Sequence, residues 1–206
     1  MRVGYRLSGI DDGAIFLQGG YTPDQDKLGG ARALGALGVT LRVVGDPDPV
    51  ALYGGFDLSL GGSGGFVYGL QSILGGAVPM GRRVALGVGS GPGIDGITST
   101  IPFGVSFPIE AWLSLDLFKG MAVTARVHDG WVLAAPEREN GAPVAPFGDE
   151  ASAALTFALG TRHGGNYSQN RDGPSFGLAV RQTMGATFYL LNLGFSAHES
   201  NFTERR

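Results

Sequence analysis

Residues 103–117, FGVSFPIEAWLSLDL, alternate two kinds of residue along their whole length. The odd-numbered positions are all apolar, whereas the even-numbered positions are mostly small, polar or charged. A period of two predicts a β-strand whose two faces differ chemically. A helix does not fit, because Glu110 and Asp116 would then be scattered around an otherwise apolar cylinder. The segment therefore predicts a strand that is longer than the usual five or six residues.

The same alternation recurs on both sides of this strand. One face is apolar in residues 37–43, 56–60, 84–88, 121–127, 153–159 and 176–180, and residues 14–17 are a shorter candidate. Turn segments rich in Gly and Pro separate these runs, and residues 90–99 are expected to form a loop. We therefore predict an all-β fold, an antiparallel up-and-down β-barrel of roughly eight to ten strands. It occupies one domain, residues 1–206, with its strands at approximately 34–196.

The composition restricts the classes of protein that fit. A chain of 206 residues suits one barrel, and its 37 glycines far exceed the usual share of about 7%. Only 16% of the residues are charged, so something other than a charged, solvated surface must cover the protein. The net charge of -3 argues against nucleic acid as a partner. The absence of cysteine excludes disulfides and thiolate metal sites.

The location of the apolar face decides the class of function. A soluble barrel should present Lys, Glu and Arg on its other face, but here that face consists mainly of Gly, Ala, Ser and Thr. A membrane barrel reverses the arrangement, because its apolar face meets lipid and its small or polar face lines the lumen. The charges expected in the lumen are nearly balanced, as burial requires: Arg42, Asp57, Glu110, Asp116, Arg126, Arg162 and Arg181.

Trp112 does not fit the polar face on which the alternation places it. It is either a packed plug of the lumen, an interface residue if the register slips, or a platform on which a ligand stacks. The plug is the favoured interpretation.

The chain resembles the small outer-membrane β-barrel proteins of Gram-negative bacteria, the OmpA/OmpX type. The resemblance rests on strand pattern and composition, and on a C-terminal spacing of polar, Gly and apolar residues at Thr183, Gly185, Phe188 and Leu190. It implies a bacterial outer-membrane location, the lipid bilayer and the outer-membrane assembly machinery as partners, and roles in integrity, adhesion or small-solute passage. Residues 1–20 lack the continuous apolar segment of a signal peptide, so either a leader has been removed or the protein is not exported by that route.

Literal motif matches carry little weight. Residues 61–65 match G-x-S-x-G and residues 91–96 match G-x-G-x-x-G. Both motifs require a following helix, but the residues that follow them are predicted to form strands. The three histidines are too dispersed for a metal site. We therefore predict no catalytic residue, no metal, no cofactor and no enzyme activity.

Two hypotheses remain open. The first is an outer-membrane-type barrel with a structural or limited small-solute pore role, whose lumen is filled by paired charges. The alternative is a soluble calycin-like barrel that encloses an apolar small ligand against its inward apolar face. Neither the solute nor the oligomeric state follows from the sequence.

Overall fold

The computed structural model describes residues 12–23, 33–44, 50–62, 66–80, 83–97, 101–118, 120–134, 151–160, 173–183 and 186–197. These residues form the strands β1 (Asp12–Tyr21), β2 (Ala33–Val44), β3 (Ala51–Gly62), β4 (Phe66–Pro79), β5 (Val84–Ser90), β6 (Gly93–Ile97), β7 (Ile101–Phe118), β8 (Met121–Ala134), β9 (Ala151–Leu159), β10 (Gly173–Thr183) and β11 (Ala186–Ala197). Within these ranges no helix is long and apolar enough to cross a membrane.

The strands close into a barrel. Neighbouring strands pair antiparallel in chain order, and β1 pairs with β11 from Gly13 opposite Ala197 to Tyr21 opposite Tyr189. β5 and β6 both lie between β4 and β7, so together they occupy the place of one strand. The described residues therefore form a closed antiparallel barrel of ten strands without helices, which confirms the predicted fold class.

The joint between β5 and β6 lies at Gly91 and Pro92. Pro92 has no N–H to donate, yet its carbonyl accepts hydrogen bonds from the backbone N–H of Ser72 at 3.0 Å and from the Ser72 hydroxyl at 2.9 Å. The Ser90 hydroxyl donates to the carbonyl of Pro108 at 2.8 Å. Because these bonds tie the joint to both neighbouring strands, the chain stays in the barrel wall through Ile97. The loop predicted at residues 90–99 is therefore wrong for Ser90, which ends β5, and for residues 93–97, which form β6. Residues 91 and 92 join the two strands, and residues 98 and 99 lie outside the described ranges.

The short connection between β7 and β8 agrees with the sequence prediction, whereas the start of β1 does not. β7 spans 18 residues and meets β8 across a short connection, where Gly120 has a φ of 90° that favours glycine. β1 begins at Asp12, upstream of the strand region expected from residue 34. Its sequence, DGAIFLQGGY, alternates weakly, but it is paired with β2 on one side and β11 on the other.

Candidate functional site in the barrel lumen

The apolar face of the barrel is its outer face. On β7, Ile109 is 48% exposed, whereas the adjacent Glu110 is 2% exposed. Each strand from β1 to β11 contributes at least one exposed large apolar side chain, among them Leu17, Leu37, Leu74, Leu178 and Leu193. The soluble calycin-like alternative needs these side chains inside, so the structure does not favour it.

The inner face encloses a cavity of about 310 Å³. The described residues of its lining come from β1, β3, β4 and β6 to β11 and are rich in Ser, Thr, Gln and Gly. Among the residues whose side chains are described, the ionisable ones that line it are Asp57, Glu110, Arg126, His128 and Arg181. The cavity is therefore a polar space in the barrel lumen, lined by residues that are distant in sequence.

Four side chains form a connected chain on one wall of the lumen. The Trp112 Nε1–H donates to the Tyr53 hydroxyl at 3.3 Å, and that hydroxyl donates to Glu110 Oε1 at 3.1 Å. The other carboxylate oxygen of Glu110 lies 3.8 Å from Nη1 of Arg126, in an ion pair. Tyr53, Trp112 and Glu110 are at most 5% exposed. This network of side chains links β3, β7 and β8, and it holds two aromatic rings and a carboxylate in fixed positions.

Glycines opposite the two rings make this packing possible. Gly87 faces Trp112 in the β5–β7 ladder, and Gly75 faces Tyr53 in the β3–β4 ladder. A Cβ atom on Gly87 would overlap the indole, and one on Gly75 or Gly89 would overlap the Tyr53 ring or its hydroxyl. Glycine within a strand often marks such a close approach. We refer to Gly75, Gly87 and Gly89 as the glycine floor.

The acidic and basic groups of the cavity occupy different strands. Asp57 and Glu110 lie on β3 and β7, whereas Arg126 lies on β8 and Arg181 on β10. Charges of opposite sign nevertheless lie close together across these strands, because Glu110 is 3.8 Å from Arg126 and His128, on β8, experiences the charges of both arginines and of Asp57 and Asp129.

Nε2 of His128 and Oδ1 of Asn192 are buried and have no hydrogen-bond partner among the described residues, and both residues line the cavity. Buried polar atoms are nearly always hydrogen-bonded, so a small molecule or water that enters the cavity would meet two atoms able to bind it.

Some of the predicted lumen charges line the cavity, one does not, and others lie outside the described residues. Asp57, Glu110, Arg126 and Arg181 line the cavity, while Asp116 is partly buried on the same face of β7 but is not part of the lining. The side chain of Arg42 and the whole of Arg162 lie outside the described residues. The pairing of the full set of lumen charges stays a prediction, to which the contact between Glu110 and Arg126 contributes one pair.

Trp112 is buried inside the barrel with 2% exposure, and its role as a plug of the lumen stays a prediction. A role in stacking a ligand would need its ring to become accessible. In the described ranges no group of three or more His, Cys, Asp or Glu residues is placed to hold a metal ion.

Sequence reasoning missed Tyr53 and Asn192. The signal for Tyr53 was present, because counting back by two from Asp57 places position 53 on the lumen face. The signal for Asn192 is weaker, because the sequence prediction assigns no separate faces within residues 186–195. Counting by two from the exposed Leu191 and Leu193 assigns it to the inner face.

No protein-family model matches the chain, and no curated protein matches it. Among solved structures, the chain is similar to a KdgM porin, with 7% identity and a TM-score of 0.45 over 91% of this chain and 99% of that chain. A KdgM porin in complex with disordered oligogalacturonate gives 9% identity and a TM-score of 0.44 over the same shares of the two chains. The translocator domain of the autotransporter NalP from Neisseria meningitidis gives 11% identity and a TM-score of 0.44, over 94% of this chain and 90% of that one.

Proposed function

We propose that the protein is a bacterial outer-membrane β-barrel whose lumen is a narrow path for small polar solutes. The observation that carries this proposal is the sidedness of the closed barrel, with large apolar side chains exposed on every strand and a polar cavity inside. In water, so large a contiguous apolar surface would drive association. In a bilayer the same surface meets hydrocarbon, and closure leaves no unpaired strand edge in lipid.

The strand lengths agree with a membrane span. A tilted transmembrane strand needs about 9 to 11 residues. All strands except β5 and β6 have at least 9 residues, and these two lie end to end in the wall. The lipid bilayer is accordingly the proposed partner, and the outer-membrane assembly machinery is the proposed route of insertion.

The lumen supports a restricted path rather than a wide channel. Eight strands leave an interior that side chains just fill, and ten strands add limited space. Part of that space is occupied by the buried rings of Tyr53 and Trp112. We assign the protein no catalytic role, and the finer relation to the OmpA/OmpX type stays a prediction.

A comparison in two steps tests the proposal. The chain is folded into vesicles, washed with alkaline carbonate and run with and without boiling on a denaturing gel. We expect it to stay with the membrane and to migrate differently before boiling, as a closed barrel does. Recovery as a soluble folded monomer without detergent would overturn the membrane assignment.

The second step tests passage through the lumen. Planar-bilayer conductance is measured for the unmodified chain, for Trp112→Ala, and for Leu155→Ala as a matched control on the outer face of β9. Trp112→Ala should raise the conductance because it removes a ring from the lumen wall, whereas Leu155→Ala should leave it unchanged. If the unmodified chain conducts no ions, the pore is excluded and a structural role remains.

A further inference from the structure

A row of uncharged polar side chains crosses the lumen wall, and the inference drawn from it rests on the proposed pore. Residues that are directly opposite in a ladder point to the same face of the sheet. The register joins one glycine, Gly177 of β10, and five polar side chains on β1, β11, β9, β8 and β7: Gln18, Asn192, Thr156, Thr124 and Ser114. We call these five side chains the hydroxyl–amide row.

Most of the hydroxyl–amide row faces the cavity. Gln18, Asn192, Thr156 and Thr124 line it, and the Thr124 hydroxyl donates to the Ser114 hydroxyl at 3.0 Å. Oδ1 of Asn192 is buried and has no hydrogen-bond partner among the described residues. The row therefore contains an acceptor oxygen that a solute in the cavity can bind.

The surroundings of this row favour a neutral solute. The described side chains that line the cavity from β1, β9 and β11 carry no charge. Glu110 and Arg126, across the cavity on β7 and β8, form an ion pair with each other. Arg181 lies on β10, but it is four positions beyond Gly177, roughly 13 Å along the strand. Beside the row, an ion loses hydration that uncharged groups replace poorly, whereas a hydroxyl exchanges one hydrogen bond for another.

Hydroxyl groups also match the polar atoms that lack a partner. A hydroxyl both donates and accepts, so it can bind the acceptor Oδ1 of Asn192 and also Nε2 of His128, whichever ring nitrogen carries the proton. Phe16, two positions from Gln18 on the same face, lines the cavity with the tip of its ring over Gly38. That ring gives the C–H groups of a solute an apolar surface to contact. The wall thus suits a carbon skeleton that carries several hydroxyls.

From these observations we infer that the lumen cavity binds and passes small neutral polyhydroxylated solutes, the chemical class of polyols and small sugars. The hydroxyl–amide row supplies the hydrogen bonds, and the solute's hydroxyls replace the water that otherwise fills the cavity. The volume of about 310 Å³ is roughly ten times that of one water molecule in the liquid, which suits a polyol of about four carbons.

Three compounds with four-carbon skeletons test this inference. Vesicles containing the folded barrel are loaded with radiolabelled erythritol (neutral, four hydroxyls), diethylene glycol (neutral, two hydroxyls) or erythronate (an anion with three hydroxyls). The efflux of each compound is measured, and the rate from vesicles without protein is subtracted. We expect erythritol to leave several-fold faster than each of the other two.

Two variants locate the effect on the row. Asn192→Leu removes the acceptor oxygen at similar volume, and Thr156→Val removes a hydroxyl with almost no change of shape. Each should lower erythritol efflux to about the diethylene glycol rate and leave diethylene glycol efflux unchanged. Because Thr156→Val is nearly isosteric, it keeps the test available if Asn192→Leu fails to fold.

Gln182→Leu is the matched control. It also replaces an amide by an apolar side chain, but Gln182 is exposed on the outer face of β10 and does not line the cavity. Its erythritol efflux should equal that of the unmodified chain.

Failure of the inference and failure of the pore give different results. Erythronate efflux as fast as that of erythritol would overturn selection for neutral solutes, and equally fast diethylene glycol would overturn recognition of hydroxyls; both leave the pore intact. Faster erythritol efflux that neither Asn192→Leu nor Thr156→Val changes would overturn the assignment to the hydroxyl–amide row. Background rates for all three compounds would overturn the pore, and this inference with it.

Discussion

At the scale of single residues, the glycine floor gives the most direct prediction. Gly87→Ala places a methyl group where the Trp112 indole lies, so the ring must move and repack. We expect a loss of roughly 1–3 kcal/mol in the free energy of unfolding, the usual cost of overpacking. Urea unfolding in vesicles measures this loss. In a Trp131→Phe background Trp112 is the only tryptophan, so its emission should shift as well.

Gly19→Ala is the matched control, because a Cβ atom at Gly19 would meet nothing within 4 Å. Its stability should stay within about 0.5 kcal/mol of the unmodified chain. Equal stability of the Gly87→Ala and Gly19→Ala variants would contradict the packing of Trp112 on the glycine floor.

The sequence predicted part of this arrangement. The alternation placed Trp112 and Glu110 on the lumen face, since a period of two is a local property of the chain. It could not show that Tyr53 would reach Glu110, which is 57 positions away, because that contact depends on how the four strands β3, β4, β5 and β7 pair. The role of Gly75, Gly87 and Gly89 was equally hidden, because in so glycine-rich a chain no single glycine stands out.

At the scale of strands, the joint between β5 and β6 predicts a gain in stability. Ser72 and Pro92 are opposite each other, and in such a pair each residue normally donates its N–H to the other. Pro92 cannot donate, so Pro92→Ala should restore one hydrogen bond and stabilise the barrel by about 1 kcal/mol. Urea unfolding in vesicles measures the change.

Gly91→Ala should act in the opposite direction, because its Cβ would overlap the Ser72 carbonyl. A loss of stability in Pro92→Ala would show that the ladder at the joint needs no further donor.

The loop wrongly predicted at this joint has a local cause. Gly and Pro mark a turn in the sequence, but pairing with β4 and β7 keeps the segment extended.

β7 provides a second prediction at this scale. Leu113 is 45% exposed in the middle portion of the strand, and Phe118 ends it. Leu113→Arg should cost roughly 2–4 kcal/mol and reduce insertion into vesicles, whereas Phe118→Arg should cost about 0–1 kcal/mol, because the penalty for a charge falls from the membrane midplane to the interface. Urea unfolding and the fraction of heat-sensitive band on unboiled gels measure both. Similar costs at the two positions would argue against a lipid-facing β7.

At the scale of the whole molecule, the sequence predicted the barrel and its outward apolar face but not the strand that closes it. Repeated alternation with scarce charge indicates strands whose apolar faces share one environment, and this favours a barrel whose apolar face is outside. The strand that closes the ring, β1, has a weak pattern of its own and is held by pairing with β2 and β11. A strand defined by its neighbours rather than by its own sequence is hard to predict locally.

Closure itself can be tested by a cross-link across the β1–β11 seam, because the chain has no cysteine of its own. Leu17 and Leu193 are directly opposite in that ladder, a separation compatible with a disulfide. After folding and oxidation, the Leu17→Cys, Leu193→Cys variant should form the disulfide. Even after boiling it should migrate differently from the reduced chain, because residues 17 to 193 are then held in one loop.

The Leu17→Cys, Leu191→Cys variant is the matched control, because Leu191 is opposite Gly19, two positions from Leu17, and should cross-link poorly. More efficient cross-linking in the control would mean a shifted register, and no cross-link in either variant would mean that β1 and β11 do not meet, so that the ten strands form an open sheet with two edges.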